Sequence, residues 1–524
     1  MKLPISLSHS DCLTSVFTAK QVLENEANVA QNQGVEMFSL MCKAGEAAFQ
    51  QLVSSWPAAK NLLVVCGKGN NGGDGFVVAT LAQKSGLDVK VLMLCDEHEL
   101  AGDALKAFKQ MKHAAVSYSY KNDHQHLIDS IQAYQGDVIV DAIFGIGFRG
   151  ALSNTLKAIV STINNNTTPV LSIDVPSGLC VTSGSVSGSE LAEQAVIASQ
   201  CVTFIVYKQG LLTGQAANFI GKLLLADLSL GDAFKAKVTS QHYYQTMALQ
   251  QRLNKPFLPP RHNASHKGNS GHLLTIGGNV GMPGAIRLAS EAALRAGAGL
   301  LSVCCHRENT VLVFSGRAEL MIAENTAEQL FQTQRLALAN ACVIGPGLGQ
   351  DKWAKSLFKL VLDECSQSNK PVVIDADAIH LLANLTENKL NIGNAILTPH
   401  PKEASILLGC SVEEIEQDRF NAVKNIAEKY NCICLLKGAG TLISDGKKVV
   451  INSTGNSGMA SGGMGDVLSG IIGALLMQID DKFYATCLAC YLHGRAADNI
   501  AKKIGQRGMI ASDLFVEIQQ LVNE

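Results

Sequence analysis

Aromatic residues are scarce in this sequence, 5% of 524 positions, whereas glycine occurs 47 times. An aromatic-poor, glycine-rich chain points to α/β layers, with glycine where a strand turns into a helix and backbone must approach a neighbour or a ligand closely. Surplus charge of either sign is missing: 43 Lys and Arg stand against 45 Asp and Glu, a net charge of −2. That balance leaves no electrostatic footprint for nucleic acid or an anionic membrane, so any anionic ligand must be held locally. Long apolar runs are absent too. The longest, Val467 to Met477, is interrupted by glycines and falls short of the ~18 residues of a spanning helix. The first eleven residues carry Lys2, Pro4, several serines and Asp11, too polar for the core of a signal peptide. Finally, no disulfide rhythm is present. The 15 cysteines are an odd number and scattered, apart from Cys304-Cys305, Cys432-x-Cys434 and Cys487-x-x-Cys490, which points to a reducing compartment. The last pair lies in an apolar, helix-like run without a partner CxxC and reads as buried and inert rather than as a zinc site. A soluble, cytoplasmic protein with no nucleic-acid or membrane partner is expected.

What is present is core material. A hydrophobic share of 47% and a charged share of 17% exclude a disordered chain, and the length predicts two large domains or three ordinary ones. Short apolar runs predict strands at Asn61–Cys66, Val89–Leu94, Asp137–Val140, Val170–Ile173, Cys201–Val206 and Lys222–Ala226. Helical spacing lies between them, as at Gly75–Ser85 and Leu100–Lys112, and Met37–Val53 predicts an amphipathic helix ahead of the first strand. This βαβα alternation predicts a parallel sheet covered on both faces. The proline- and Asn/Ser-rich stretch between residues 230 and 271 marks a boundary. A second alternation follows, with strands expected at His272–Ile276, Leu300–Cys304, Ala341–Ile344, Pro371–Ile374, Ala395–Leu397, Ile433–Leu436 and Thr441–Ser444. Two different α/β domains are therefore expected, 1–235 and 236–524.

In the first half, CGKGNNGGDG (Cys66–Gly75) follows a strand and precedes a helix. Its glycines permit positive φ and present N–H groups to an anion at the helix N-terminus, and its spacing fits neither a Walker loop nor a dinucleotide fingerprint. Asp141 in VDAIFGIGFRGAL and Asp174 in SIDVPSGL lie at strand ends, where open α/β sheets place their chemistry. Each alone also fits a turn or helix cap. Asn71, Asp141 and Ser177 offer oxygen ligands from three segments, a set for a hard cation, whether potassium, sodium or magnesium.

In the second half, NSGMASGGMGDVLSGIIGALL (Asn456–Leu476) places Gly462, Gly463 and Gly465 before an apolar helix starting near Asp466. Such a nest suits a transferring phosphoryl group, and Asp466 can take a proton from an attacking hydroxyl; it also fits a simple helix cap. His400, between Pro399 and Pro401, fits a turn as well as a ligand contact. Asp375 and Asp377 fit capping as well as a metal role.

FSLMCKAG (Phe38–Gly45), the NNGGDG loop, DAIFGIGFRG, DVPSG and YKQGL (Tyr207–Leu211), in this order, resemble the epimerase domain of the bifunctional NAD(P)H-hydrate repair enzymes. Cys42 and Lys43 depart from the helix motif of that family. GGMGD resembles the anion hole and base of the ribokinase-like superfamily. Together with His266–Leu300, IGPGLG (Ile344–Gly349), VVIDADAI (Val372–Ile379), LTPHPKEASILLG (Leu397–Gly409) and KGAGT (Lys437–Thr441), it resembles the dehydratase domain of the same family. The resemblance implies a Rossmann-like parallel α/β domain followed by a ribokinase-like α/β domain.

By the same resemblance Asn71, Asp141 and Ser177 bind potassium. Asn70, Asn71, Gly72, Gly73, Asp74, Gly145, Ile146, Gly147, Phe148, Arg149, Gly150 and Ala151 contact the hydrate, and Asp174 is the acid/base at C6. In the second domain Ala285, Gly349, His400 and Asp466 contact the hydrate. Lys437, Gly438, Ala439, Gly440, Thr441 and Gly465 hold the nucleotide, Asp466 handles the hydroxyl, and Glu403 orders a water on Mg2+. The implied activity interconverts the R and S hydrates of NADH and NADPH and dehydrates the S form at the expense of ADP, giving AMP and phosphate. A homo-oligomer is expected. The competing reading is a ribokinase-like kinase of a small alcohol with a fused ligand-binding domain.

Overall fold

The computed structural model describes residues 13–120, 124–188, 190–245, 257–258, 260–385 and 392–524. The polar N-terminus and part of the proline-rich boundary segment lie outside the described residues. Residues 15–240 form one compact unit, and residues 241–524 with 13 and 14 form the other. The division falls at 240/241, a few residues beyond the expected 235/236. Ser240 is held in the first unit by its Oγ, which donates to Val16 O at 2.6 Å, and the strand after it belongs to the second sheet.

The strands in chain order begin with β1 (Leu13–Val16), an edge strand of the larger sheet. The first unit then contributes β2 (Asn61–Cys66), β3 (Asp88–Met93), β4 (Ser117–Ser119), β5 (Val138–Ala142), β6 (Val170–Ile173), β7 (Gln200–Phe204) and β8 (Lys222–Ala226). They form one sheet in the order β4-β3-β2-β5-β6-β7-β8, parallel throughout. Continuous apolar runs such as Leu62 to Cys66 are buried along their whole length, as a sheet covered on both faces requires. The chain reverses direction between β2 and β5, so the loops after these two strands diverge and open a crevice, the place where such sheets bind ligands. Helix Met37–Ser55 packs on this layer through Leu40, Met41, Ala44, Ala48 and Leu52. Helix Ala19–Asn32 starts on a capping box in which Thr18 and Gln21 satisfy each other's backbone N–H groups.

The second unit adds β9 (His242–Gln245), β10 (His272–Ile276), β11 (Leu300–Cys304), β12 (Met321–Ile322), β13 (Ala341–Ile344), β14 (Val372–Ile374), β15 (Ala395–Leu397), β16 (Ile433–Leu436), β17 (Leu442–Ser444) and β18 (Val449–Ile451). Their sheet runs β1-β9-β18-β17-β16-β15-β14-β13-β10-β11-β12. It is parallel from β12 to β16, but β16, β17 and β18 pair antiparallel. Its switch point lies between β10 and β13. Helix Met464–Leu476 is buried over most of its length and lies against helix Pro283–Arg295. The contact is close because Gly470 has no side chain, since a Cβ there would sit 2.0 Å from Ala289 O. Cys487 and Cys490 are buried in helix Lys482–Ile504, and burial pushes the Cys490 thiol up to about 12, which makes both sulfurs poor nucleophiles. No helix among the described residues is long and apolar enough to cross a membrane.

Candidate active sites

In the first unit the helix after β2 begins at Asn70, earlier than expected, and runs to Lys84. The glycines of the motif serve packing rather than positive φ, and none of Gly67, Gly69, Gly72, Gly73 and Gly75 adopts one. A Cβ at Gly67 would meet Ile143 O at 2.1 Å, one at Gly72 would meet Gly67 O at 1.9 Å, and one at Gly75 would meet Ala142 Cβ at 2.6 Å. The missing side chains thus bring the start of this helix onto the end of β5.

That approach assembles an oxygen cluster. Asp141 is fully buried at the end of β5, where its Oδ1 accepts from Ser177 Oγ at 2.6 Å and Ile143 N at 3.3 Å. Its Oδ2 accepts from Ser172 Oγ at 2.8 Å and Ser177 N at 2.9 Å. Burial raises its pKa, and the bonds from Ser177 and Ser172 oppose the rise. Asn71 donates from Nδ2 to Phe144 O at 2.8 Å, while its buried Oδ1 has no hydrogen-bond partner. An orphaned amide oxygen beside a buried carboxylate and a serine hydroxyl, with no nitrogen or sulfur donor, fits a hard cation.

The adjoining cavity has a volume of about 530 Å³ and reaches Lys68, Asn70, Asn71, Asp74, the run Gly145–Arg149 and Asp174. Gly72, Gly73, Gly150 and Ala151 are off its lining. Gly73 instead faces Met41 and Ala104, where a Cβ would come within 2.6 Å of Met41 Cε. Asp174 sits just past β6 with φ +64°, a left-handed conformation uncommon for aspartate. Its Oδ1 accepts from Lys208 Nζ at 2.6 Å, Thr203 Oγ1 at 3.1 Å and Phe204 N at 3.3 Å. Lys208 is almost wholly buried and donates also to Thr203 Oγ1 at 2.9 Å and Phe204 O at 2.8 Å. All three ammonium protons are therefore committed. Two more carboxyls line the cavity. Burial, then the neighbouring Asp174 and Glu26 charges, pushes Asp74 well above the ordinary carboxylate range. Burial raises Glu26, with Lys208 opposing and Asp174 adding to the rise. Sequence reasoning did not single out Lys208 or Glu26 as site residues. Lys208 lay inside the quoted YKQGL motif, whereas Glu26 lies on a helix with no distinguishing motif.

In the second unit the loops after β10 and β13 lock together through glycine. A Cβ at Gly277 would meet Pro346 O at 2.1 Å, and one at Gly347 would meet Met282 O at 2.8 Å and Ala285 Cβ at 3.3 Å. Ala285 and the GPGLG loop are thereby neighbours. Gly349, with φ +72°, donates its N–H to Asp377 Oδ2 at 2.8 Å. Helix Met464–Leu476 starts two residues before Asp466, after Gly463 at φ +87°. Beside its first turn, Lys437 Nζ lies 2.9 Å from Asp375 Oδ1 and 3.8 Å from Glu403 Oε2, and Ser469 Oγ donates to Asp375 Oδ2 at 2.7 Å. A Cβ on Gly465 would be 3.4 Å from Lys437 Nζ, so the expected nucleotide lysine and the expected anion nest adjoin. Burial alone would raise Asp375; Lys437 and Ser469 overcome it and hold the carboxyl below its ordinary range. Burial, reinforced by the Asp375 charge and opposed by Lys437, pushes Asp466 up to about 7.

His400 caps helix Pro401–Leu408: its Nδ1 accepts from Glu403 N at 3.2 Å while Glu403 Oε2 accepts from His400 N at 2.8 Å. Burial lowers the imidazole pKa. Glu403 Oε1 lies 3.5 Å from His400 Nε2. The segment from Lys437 to Thr441 is held by Arg419, which is buried and donates from Nη2 to Lys437 O at 3.0 Å. Gly438 has φ +143°, and a Cβ there would come within 2.6 Å of Arg419 Nη2. Thr441 Oγ1 closes the turn on Gly438 O at 2.9 Å, and Gly440 has φ +57°. Arg419 lies outside every motif read from the sequence.

A family model described as NAD(P)H-hydrate dehydratase matches residues 273–520, and one described as YjeF-related protein N-terminus matches residues 38–210. The chain is 40% identical over 523 residues to the bifunctional NAD(P)H-hydrate repair enzyme Nnr of Escherichia coli, covering 100% of this chain and 96% of that protein. It is 41% identical over 512 residues to the enzyme of the same name from Coxiella burnetii, covering 98% of this chain and 100% of that protein. A solved ADP/ATP-dependent NAD(P)H-hydrate dehydratase from Bacillus subtilis, co-crystallised with ATP/Mg2+, shares 30% identity at a TM-score of 0.45, covering 50% of this chain and 93% of that one. With both family models matched in one chain and relatives aligned nearly end to end, the chain belongs to the bifunctional NAD(P)H-hydrate repair enzymes.

Proposed function

We propose that the first unit, residues 15–240, interconverts the R and S hydrates of NADH and NADPH, and that the second dehydrates the S form at the expense of ADP. The observation that carries this reading is that each unit has its own carboxyl beside a lysine, Asp174 beside Lys208 and Asp466 beside Lys437. Both family matches favour it over an alcohol kinase with a fused binding domain.

In the first unit Asp174 Oδ1 is filled by three donors, which leaves Oδ2 to exchange a proton at C6. Asn70, Asn71, Asp74 and the run Gly145–Arg149 contact the hydrate. Asn71, Asp141 and Ser177 would hold potassium, which would supply positive charge between the loops after β2, β5 and β6.

In the second unit hydroxide is a poor leaving group, so the C6 hydroxyl is first phosphorylated. Asp466 accepts its proton, the nest of Gly463 and Gly465 cradles the transferred group, and Lys437 stabilises developing charge. Phosphate then leaves as the ring nitrogen supplies electrons, which restores the dihydronicotinamide and gives AMP from ADP. Ala285, Gly349 and His400 contact the hydrate, and Lys437 to Thr441 hold the nucleotide. A magnesium ion would neutralise phosphate charge. Glu403 fits the single carboxylate that orders one of its waters, because magnesium keeps most of its waters and takes few protein ligands. A cytoplasmic location and a homo-oligomeric state belong to the same proposal.

The test is incubation of the purified protein with mixed NADH hydrates plus ADP or ATP, following NADH recovery and epimer ratio by chromatography. A stable phosphorylated product without NADH recovery would refute the reading.

A further inference from the structure

Asp174 is not the only carboxyl at the first cavity that is equipped to move a proton. Glu26 enters from helix Ala19–Asn32, a different wall from the loop that carries Asp174, and lines the same space with Lys208 and Phe148. Among the described residues its carboxyl makes no hydrogen bond and no ion pair. Nothing in the packing explains a half-buried, unpartnered glutamate facing a cavity whose lining is mostly apolar. Asp174 differs in kind, since three donors on Oδ1 define it as an acceptor.

Resting on the epimerase reading above, we infer that Glu26 is a second catalytic residue of the first unit, the proton donor that complements Asp174 as acceptor. Starting from the epimer whose hydroxyl faces Glu26, Glu26 protonates the C6 hydroxyl and the C6–O bond breaks, releasing water. The lone pair of N1 forms the N1=C6 double bond. A water on the other face of the ring then adds its oxygen to C6, the N1=C6 pair returns to N1, and the water's proton passes to Asp174 Oδ2. One water leaves and one enters, no electrons are gained or lost, and solvent exchange returns the proton from Asp174 to Glu26. The reverse direction uses the same two groups with their roles exchanged. Burial without a hydrogen-bonding partner shifts Glu26 toward its protonated form, with Lys208 opposing, which is the direction a proton donor needs.

The experiment uses the full-length protein with R hydrate in 18O-labelled water, for the unaltered chain, Glu26→Gln and Glu26→Asp. Expected is incorporation of label at C6 of the S product by the unaltered protein. For Glu26→Gln, epimerisation kcat falls about 100-fold or more, the scale of a general acid, with KM near unchanged, and Glu26→Asp recovers part of it. Dehydration of pure S hydrate stays unchanged in every variant and reports a folded second unit, while the activity recovered by Glu26→Asp, with KM near that of the unaltered protein, reports a folded first unit. Retention of kcat within about threefold in Glu26→Gln, a change confined to KM, or an unlabelled S product each overturns the inference. Failure of the unaltered protein to exceed the uncatalysed epimer exchange would instead overturn the epimerase reading itself.

Discussion

Asp466 and Lys208 show how burial sets the work of a single side chain. Asp466 is useful only when ionised, and burial, then the charge of Asp375, raises it to about 7. Dehydration of S hydrate at limiting substrate therefore rises about tenfold per pH unit below that value and levels off above it; a profile flat from about pH 5 to about pH 9 would contradict this assignment. The stability sign is opposite. Because the folded value lies above the unfolded one, the unfolded chain gives up this proton first, and stability is lost as pH climbs from the ordinary carboxylate range to about 7. Lys208 is a different case, a buried ammonium whose partners are Asp174, Thr203 and a carbonyl. Lys208→Met strands the carboxylate in a nearly closed site, and breaking such a pair costs about 3–5 kcal/mol. The expected result is an epimerase activity lost at lower urea concentration, with dehydration lost where it is in the parent protein.

At the scale of elements, the close crossing of helices Pro283–Arg295 and Met464–Leu476 fixes where Asp466 stands. Gly470 permits it, since a Cβ there would overlap Ala289 O at 2.0 Å. Gly470→Ala is expected to push the helices apart at a cost of about 1–3 kcal/mol. Dehydration kcat falls while epimerisation is unchanged, measured on the same preparation. The same close-packing logic separates what could be read from the chain and what could not. Strands with continuous apolar runs, such as β2, β6, β10 and β13, were legible to the residue because both faces are buried. The short edge strand β4 (SYS) was not, since an edge strand pairs through its backbone without an apolar run, and neither was β9 (HYYQ), which lies next to the edge strand β1 and also lacks an apolar run. The start of the helix at Asn70 was placed too late because Asn and Gly are poor helix formers, and tertiary packing on Ile143 and Ala142 overrides that preference. Asp141 and Asp174 at strand ends were visible from their motifs. Glu26 was not, because Glu24 two positions away on the same helix is exposed and the two look alike in sequence.

For the whole molecule, two sheets with separate cores predict two activities that can be lost one at a time. The first core is built from residues between Phe17 and Val238, the second from residues between Phe257 and Leu521. Asp174→Asn therefore removes epimerisation but spares ADP-dependent dehydration of S hydrate, and Asp466→Asn does the reverse. Given R hydrate and ADP, the Asp466→Asn protein accumulates S hydrate without NADH, while Asp174→Asn recovers NADH only as fast as R converts without catalysis. An equimolar mixture of the two variants supplies one intact site of each kind on different chains. With independent units the mixture is expected to recover NADH completely, after a lag that shortens as protein concentration rises. If the mixture stalls with S hydrate unconsumed, the intermediate must pass within one chain, and the two units would not be independent catalysts.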